Sequence, residues 1–574
     1  MIANDVYEPL EKYRDEFKDK FAQLTRDKFK ALTATSKVNV AANRKLSKEI
    51  HTLESEADNL RTKRGWYIFL AVVSFIGLAI AVFYGMSEGQ YSQDAMMWCV
   101  IGGIVGLILG IVACCRASKL SEEIAQLESV IAQKKQVAWD QMFPLNKLYT
   151  WDITAKLIQA TVPKLEFDPY FSVERLISLQ RDYNWTDCFT GDVDRSMLFA
   201  QSGVIKGNPF VVVHFTQMEW GSETYYGYKD IHYYVTETGA DGKKHRRRVT
   251  ETLTASVTKP KPFYYERKML IYGNEAAPNL TFSRQPSGID PQNAGIFAGI
   301  KKHFMAHSIV KHAQNMDESF TMMQNKEFET MFHATDRDHE VEFRVLFTPV
   351  AMLQMLALMK DDKVGFGDDF SFYKQNMINV IFAKHLNDAV IETNPKTFKD
   401  WDYDRATQTF QSFNETYFKN IYFALAPLLA IPVYQQLRPH HDIWNNPLKR
   451  PHSASWEHEA IANFHGEGHF KHPASITQNI LKTRVATNGA GETTIACTAY
   501  GYRGVKRYET EHVWGGDGKS HPVRVEWVEY LPVHRTRNFH VSESSNPPPD
   551  FIAKVKRAGG CACRRSIYSC LGPA

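Results

Sequence analysis

Two runs without a single charged residue constrain this chain more than anything else in it. Trp66–Met86 reads WYIFLAVVSFIGLAIAVFYGM and Ala95–Cys115 reads AMMWCVIGGIVGLILGIVACC, each 21 residues long. At about 1.5 Å of rise per residue, a helix of that length covers a hydrocarbon core of about 30 Å. A buried helix of a soluble protein carries polar residues at helical spacing, and neither run does. The intervening Ser87–Asp94 is long enough to reverse direction and too short to fold alone. The sequence predicts a transmembrane helical hairpin.

The flanks set its orientation. Arg61, Lys63 and Arg64 precede the first run, Arg116 and Lys119 follow the second, and the linker carries Glu88 and Asp94 but no Lys or Arg. Basic residues accumulate on the cytoplasmic side. Both termini and most of the mass are therefore expected inside, with no signal peptide ahead of the first run.

Small residues recur every fourth position in both runs, as Gly77, Ala81 and Gly85 in the first and Gly102, Gly106 and Gly110 in the second. Such faces let helix backbones approach closely in lipid. They fit packing within one hairpin first and packing between subunits second. A pore along the glycines is the weakest reading, since no polar side chain lines either helix.

Outside the hairpin, a net charge of +4 with 23% charged residues gives no polyelectrolyte character, so no nucleic-acid partner is expected. Three of the eight cysteines (Cys99, Cys114, Cys115) lie in the second run and three (Cys561, Cys563, Cys570) near the C-terminus. With a cytoplasmic body, disulfides are not expected, and the spacing does not make a zinc ribbon. No cofactor is implied.

Residues 1–65 read as amphipathic and coiled-coil helices, with stripes at Leu10, Tyr13, Phe17, Phe21, Leu24 and at Leu46, Ile50, Leu53, Ala57, Leu60. The return helix over 116–143 repeats the spacing at Leu120, Ile124, Leu127 and Ile131, which predicts an antiparallel coiled-coil stalk continuing the two spans at 66–86 and 95–115. The fold class expected is α+β, with β-rich cytoplasmic modules attached to this hairpin and stalk.

Residues 144–313 form a β-rich domain, with strands at Pro209–Trp220, Tyr225–Glu237, His245–Val257 and Phe263–Tyr272. The turn Gly239–Gly242 precedes a basic run, Lys243, Lys244, His245, Arg246, Arg247 and Arg248, a candidate contact for anionic lipid or an acidic partner, though a solvated hairpin tip explains it as well. Residues 314–437 read as an α+β domain: a strand over His339–Phe347, a helix opened by Thr348-Pro349, and a hairpin about Lys374–Asn376. The apolar segment 421–434, broken by Pro427 and Pro432, reads as a buried or membrane-surface helix rather than a third span.

Residues 438–541 combine a histidine-rich linker with a second β-rich domain, in which Gly515–His521 repeats the pattern G-x-D-G-K-x-H of Gly239–His245. Candidate metal ligands are His458, His465, His469 and His472. The helical metalloprotease motif needs two histidines four apart around a glutamate. Here the histidine after Glu459 comes seven residues past His458, and glycines follow it, so ordinary polar histidines are the leading interpretation. Residues 542–574, with Pro547–Pro549 and a basic end, read as a disordered tail.

The order of features, with FETMFHATDRDHEVEFRVLFTPVAMLQML (Phe328–Leu356) and FSFYKQNMINVIF (Phe370–Phe382), resembles a bacterial two-span membrane-protein family known only as a domain of unknown function (number 3137). The resemblance covers 170–390. It implies a bacterial inner-membrane location with a large cytoplasmic part and transfers no active-site residues.

The chain carries no Walker loop, dinucleotide fingerprint or nucleophile elbow. The expected function is a membrane-anchored, non-enzymatic scaffold or interaction protein, contacting the bilayer and assembling with itself or with other proteins. The rivals are a metal-dependent hydrolase using the 458–472 histidines and an oligomeric channel.

Overall fold

Apolar residues recur at steps of three and four up to Asn146 and at steps of two over long stretches beyond it, and the fold divides close to that line. A computed structural model describes residues 8–86, 93–186, 192–238, 244–286, 325–334, 336–436, 452–489, 491–544, 547–558 and 562–572, with the side chains of 81–100 left aside. The chain forms two compact units. One comprises residues 22–150 and 394–414, the other residues 1–21, 151–393 and 415–574.

The smaller unit is built on two long helices, α1 (Val40–Met86) and α2 (Gln93–Asn146). Asn39 starts α1 by accepting the Ala42 amide at 3.0 Å. Both helices contain a stretch long and apolar enough to cross a membrane, and little of either stretch is buried. Ile68, Leu70, Val72, Val73, Ile104 and Ile108 are among the aliphatic side chains left on the surface, an area that water would penalise and lipid would not.

On each helix a stripe of inward-turned residues steps mainly by three and four. On α2 they are Gly103, Gly106, Gly110, Ala113, Ala117, Leu120, Ile124, Leu127 and Ile131, and on α1 Leu46, Ile50, Leu53, Ala57, Leu60 and Arg64, then Ala71, Ser74 and Leu78. The contact residues are small within the apolar stretch and aliphatic beyond it. A Cβ at Gly106 would lie 3.3 Å from the Ser74 carbonyl oxygen, and one at Gly110 would lie 3.1 Å from the Phe75 ring. Gly77 and Gly102 have nothing within 4 Å of that position, so the close-approach face uses Gly106 and Gly110 but neither Gly77 nor Gly102. Ala81 and Gly85 lie where side chains are not described.

Outside the apolar stretch, Ile50, Ala57, Ile131 and Ala138 pack with Trp401. Glu49–Lys134 at 3.0 Å, Glu54–Lys135 at 2.6 Å and Arg61–Glu128 at 2.6 Å tie the helices in antiparallel order. Exposed pairs of this kind contribute about 0–1 kcal/mol each, so they set register more than stability.

The larger unit contains two antiparallel sheets. The first joins β1 (Leu165–Phe167), β2 (Arg195–Ile205), β3 (Asn208–Thr238), β4 (Lys244–Gly273), β5 (Thr281–Arg284), β6 (Phe370–Gln375) and β7 (Ile378–Ala383) in the order β1-β2-β3-β4-β7-β6-β5. The regions read as separate domains at 144–313 and 314–437 therefore share one sheet. The second joins β8 (Ile480–Gly489), β9 (Glu492–Trp514), β10 (Ser520–Ser542), β11 (Ala562–Arg564) and β12 (Ile567–Leu571) in the order β11-β12-β10-β9-β8. Strands read as pairs from sequence, at 209–220 with 225–237 and at 245–257 with 263–272, are each continuous. Pro260 and Pro262 are accommodated because β4 meets β7 only over Leu270–Gly273 among the described residues.

Two segments depart from expectation. His339–Phe347, read as a strand, is helical over Glu340–Leu346. Its nine-residue pattern fits both periods, and the helix wins by burying Phe343, Leu346 and Phe347 around Phe282 and Phe332 while Val341 and Val345 face out. Residues 542–574 are not a disordered tail: they supply a helix (Pro549–Arg557) and the β11–β12 hairpin, which pairs with β10 from Phe539↔Leu571 to Ser542↔Tyr568. The 421–434 segment lies in the helix α3 (Tyr403–Leu429) and just beyond it. Every side chain from Ile421 to Ile431 is buried, with Phe21 stacked on Phe418, Phe17 edge-on to Tyr422 and Tyr13 tilted against it.

Candidate functional site

The histidine-rich segment folds into the helix α4 (Ser455–His465), whose two faces serve the two sheets. Trp456 packs with Phe171, Trp185 and Met197, while Ile461 and Ala462 pack with Leu481, Ile495 and Phe539. Charges on such a helix must find partners inside the protein. Glu457 is fully buried between two arginines of the terminal hairpin, at 3.0 Å from Arg564 and 3.3 Å from Arg565. Arg564 also reaches the Leu198 carbonyl at 3.1 Å, and Arg565 the Ala200 carbonyl and the Gln201 side chain. Glu459 accepts from the Met197 amide at 3.0 Å and pairs with Lys482 at 2.7 Å; burial raises its pKa and the lysine opposes that.

The candidate metal ligands do not converge. His458 is buried, its Nε2 2.9 Å from the Ser453 hydroxyl, and burial pushes its pKa down to about 4. His465 meets the Ser569 hydroxyl at 2.9 Å, His469 is exposed at the end of the Glu467–His469 turn, and His472 accepts the Ala474 amide at 3.1 Å. Among the described residues no group of three or more His, Cys, Asp or Glu side chains is arranged to hold a metal. The Ser453–His458 pair has the spacing of a nucleophile and base, yet the serine is buried and the other ring nitrogen, Nδ1, has no partner among the described residues to orient it.

A second region answers to none of these interior rules. Beyond their sheets, β3 with β4 and β9 with β10 continue as two long ribbons, paired from Met218↔Tyr264 to Thr238↔Lys244 and from Gly501↔Val533 to Trp514↔Ser520. Their facing sides meet at Ile231, Leu253, Ala255, Val257, Val523 and Val525. A side chain at Gly227 would not fit there, since its Cβ would lie 2.9 Å from the Arg524 carbonyl carbon. At the far end Gly518 takes φ +73°, and Asp517 accepts from the Lys519 amide and meets His521, each at 3.0 Å. The matching turn Gly239–Lys243 lies outside the described residues.

Strand alternation turns the other residues outward. Tyr226, Tyr228 and Tyr234 on β3, with Tyr508 and Trp514 on β9, are between 58% and 72% exposed. Tyr226 and Tyr228 stand opposite Ser256 and Thr254, Tyr234 opposite Arg248 and Tyr508 opposite Glu526. Arg246 stacks 4.5 Å from the Tyr234 ring centroid and Arg524 4.2 Å from that of Tyr508. The basic run divides by the same alternation: Lys244, Arg246 and Arg248 share the outward side with the tyrosines, Arg247 is exposed on the opposite side, where it pairs with Glu237 at 3.1 Å, and Lys243 lies outside the described residues. Sequence reading finds the cations and misses the aromatics, whose every-other-residue spacing on two strands is the available signal.

The chain matches no family model, no curated protein and no solved structure.

Proposed function

We propose that this protein is a membrane-anchored, non-enzymatic interaction protein that assembles with copies of itself through the outer faces of its two ribbons. The observation that carries the reading is a pair of outward faces, Tyr226, Tyr228 and Tyr234 with stacked Arg246 on one ribbon and Tyr508 and Trp514 with stacked Arg524 on the other. Rigid aromatics and arginines are the residues that dominate binding energy at protein interfaces, and folding gains nothing by exposing them. Each face also carries both signs of charge, Asp230 with Arg246 on one ribbon and Glu526 with Arg524 on the other, which suits contact between copies of the same surface. The apolar stretches of α1 and α2 supply the anchor, an antiparallel coiled coil that begins in lipid and continues into water. Basic flanks support an orientation with both termini and the larger unit in the cytoplasm, and a bacterial inner membrane is what the two-span family resemblance implies.

Light scattering on the detergent-purified protein tests this. A defined oligomer that dissociates on Tyr228→Ala with Tyr508→Ala is the expected result. A strict monomer across micromolar concentrations overturns it.

A further inference from the structure

We propose that the larger unit carries a binding site for a phosphorylated small organic molecule, in a cleft between the histidine segment and the C-terminal helix. The cleft has a volume of about 500 Å³. Three separate elements bring basic groups to it: His469 from the turn after α4, Arg537 and His540 from β10, and Lys554 and Arg557 from the helix Pro549–Arg557. Among the described residues no carboxylate lines it.

The nearest compensation is partial. Glu492 takes up two of the five groups, at 3.0 Å from His540 and 2.5 Å from Lys554. Arg537 donates to the His469 carbonyl at 2.9 Å, and Arg557 reaches the Ala553 carbonyl at 3.4 Å, so both guanidinium groups meet backbone dipoles at the cleft. Basic residues in the last turn of a helix complement its dipole, which accounts for Lys554 and Arg557 alone. It does not account for Arg537 or His469, which come from other elements. Arg537, Lys554 and Arg557 gathered in a concave site repel one another and focus positive potential into it, an arrangement that an anion relieves.

Size and lining narrow the ligand. Small-molecule sites have volumes of about 300–1,000 Å³, well above what one inorganic phosphate fills. Phe470 and Leu571 give the cleft an apolar wall. Guanidinium groups recognise phosphate oxygens through paired N–H donors. The shared chemistry is a phosphate ester beside an apolar group, supplied either by a nucleotide-sized metabolite or by a phospholipid headgroup. The site is independent of the ribbon faces and does not rest on self-assembly.

Calorimetry on the full chain in detergent decides the matter, with ATP, adenosine and dihexanoyl phosphatidic acid as probes. One phosphate probe is expected to bind with a Kd of about 1–100 µM, and adenosine at least roughly tenfold more weakly. Tighter binding of ATP assigns a soluble ester, and tighter binding of the phosphatidic acid assigns a headgroup. Arg537→Gln should weaken the better probe at least roughly tenfold. Exposed Arg557→Glu should do the same without risk to the fold, and Lys48→Gln in the other unit should change nothing. No binding of either phosphate probe at about 1 mM, or binding indifferent to Arg557→Glu in a protein that melts normally, overturns the proposal.

Discussion

The larger unit breaks the usual rule of apolar inside and polar outside in two places, and the two breaks have opposite meanings. Around α4 it buries charge, with Glu457, Arg564 and Arg565 all but inaccessible and every one of them paired. Along the ribbons it exposes aromatic rings that no fold requires to be exposed. A buried ion triad contributes little net stability while intact and costs a great deal once broken. An exposed ring is the reverse: its removal leaves the fold as it was and removes only what it would have bound. Disturbance of the first region therefore reports on folding, and disturbance of the second on association.

The largest expected effect lies in the interior. Glu457→Ala leaves two buried guanidinium groups without their carboxylate and should destabilise the larger unit by about 3–5 kcal/mol, read as a large fall in melting temperature. A variant that melts like the wild type would erase the distinction between the regions. Next comes Tyr228→Ala with Tyr508→Ala, which should weaken association by about 2 kcal/mol or more while moving stability by less than about 0.5 kcal/mol. Equal losses in both measurements would make the rings structural.

A pH series sharpens the interior half. Lys374 is buried, donates to the carbonyls of Ala276 at 3.0 Å and Asn376 at 2.6 Å, and burial lowers its pKa to about 7. The unfolded chain holds that proton up to about pH 10.4, so between these values the unfolded state binds more protons and stability rises with pH. The penalty is complete below pH 7 and relieved towards pH 10, with a slope of at most about 1.4 kcal/mol per pH unit. Lys374→Met should flatten the rise between pH 7 and pH 9 in thermal melts. The smallest effect belongs to the terminal hairpin turn, where Arg565 and Ser566 take φ of +51° and +69°. Ser566→Gly, which removes the side chain from a left-handed position, should stabilise by about 1 kcal/mol.

The range of the forces involved decides how much of this is legible in the sequence. The two apolar runs and the long strands depend on neighbours within a turn or a strand, and these are readable. Thr348-Pro349 opens the Pro349–Lys360 helix as expected, with the Thr348 hydroxyl accepting from Ala351. The terminal segment reads as disordered because its arginines look solvated, and the glutamate that neutralises them lies 107 and 108 residues earlier. The ribbon surface is legible by its cations alone, because only the pairing of β3 with β4 and β9 with β10 shows which face each tyrosine takes. The glycine face is legible at Gly106 and Gly110 but not at its start, where Gly103 rather than Gly102 is turned inward, a choice that no repeat within one helix makes.

The β11–β12 hairpin also fixes a schedule for synthesis. Chains leave the ribosome N-terminus first, so the apolar stretches of α1 and α2 can enter lipid while most of the body is still unmade. The Glu457 carboxylate must then wait, without counter-charge, for Arg564 and Arg565 to be translated. Closure of the larger body is in this way deferred until the β11–β12 hairpin has been made, long after the α4 helix that carries Glu457.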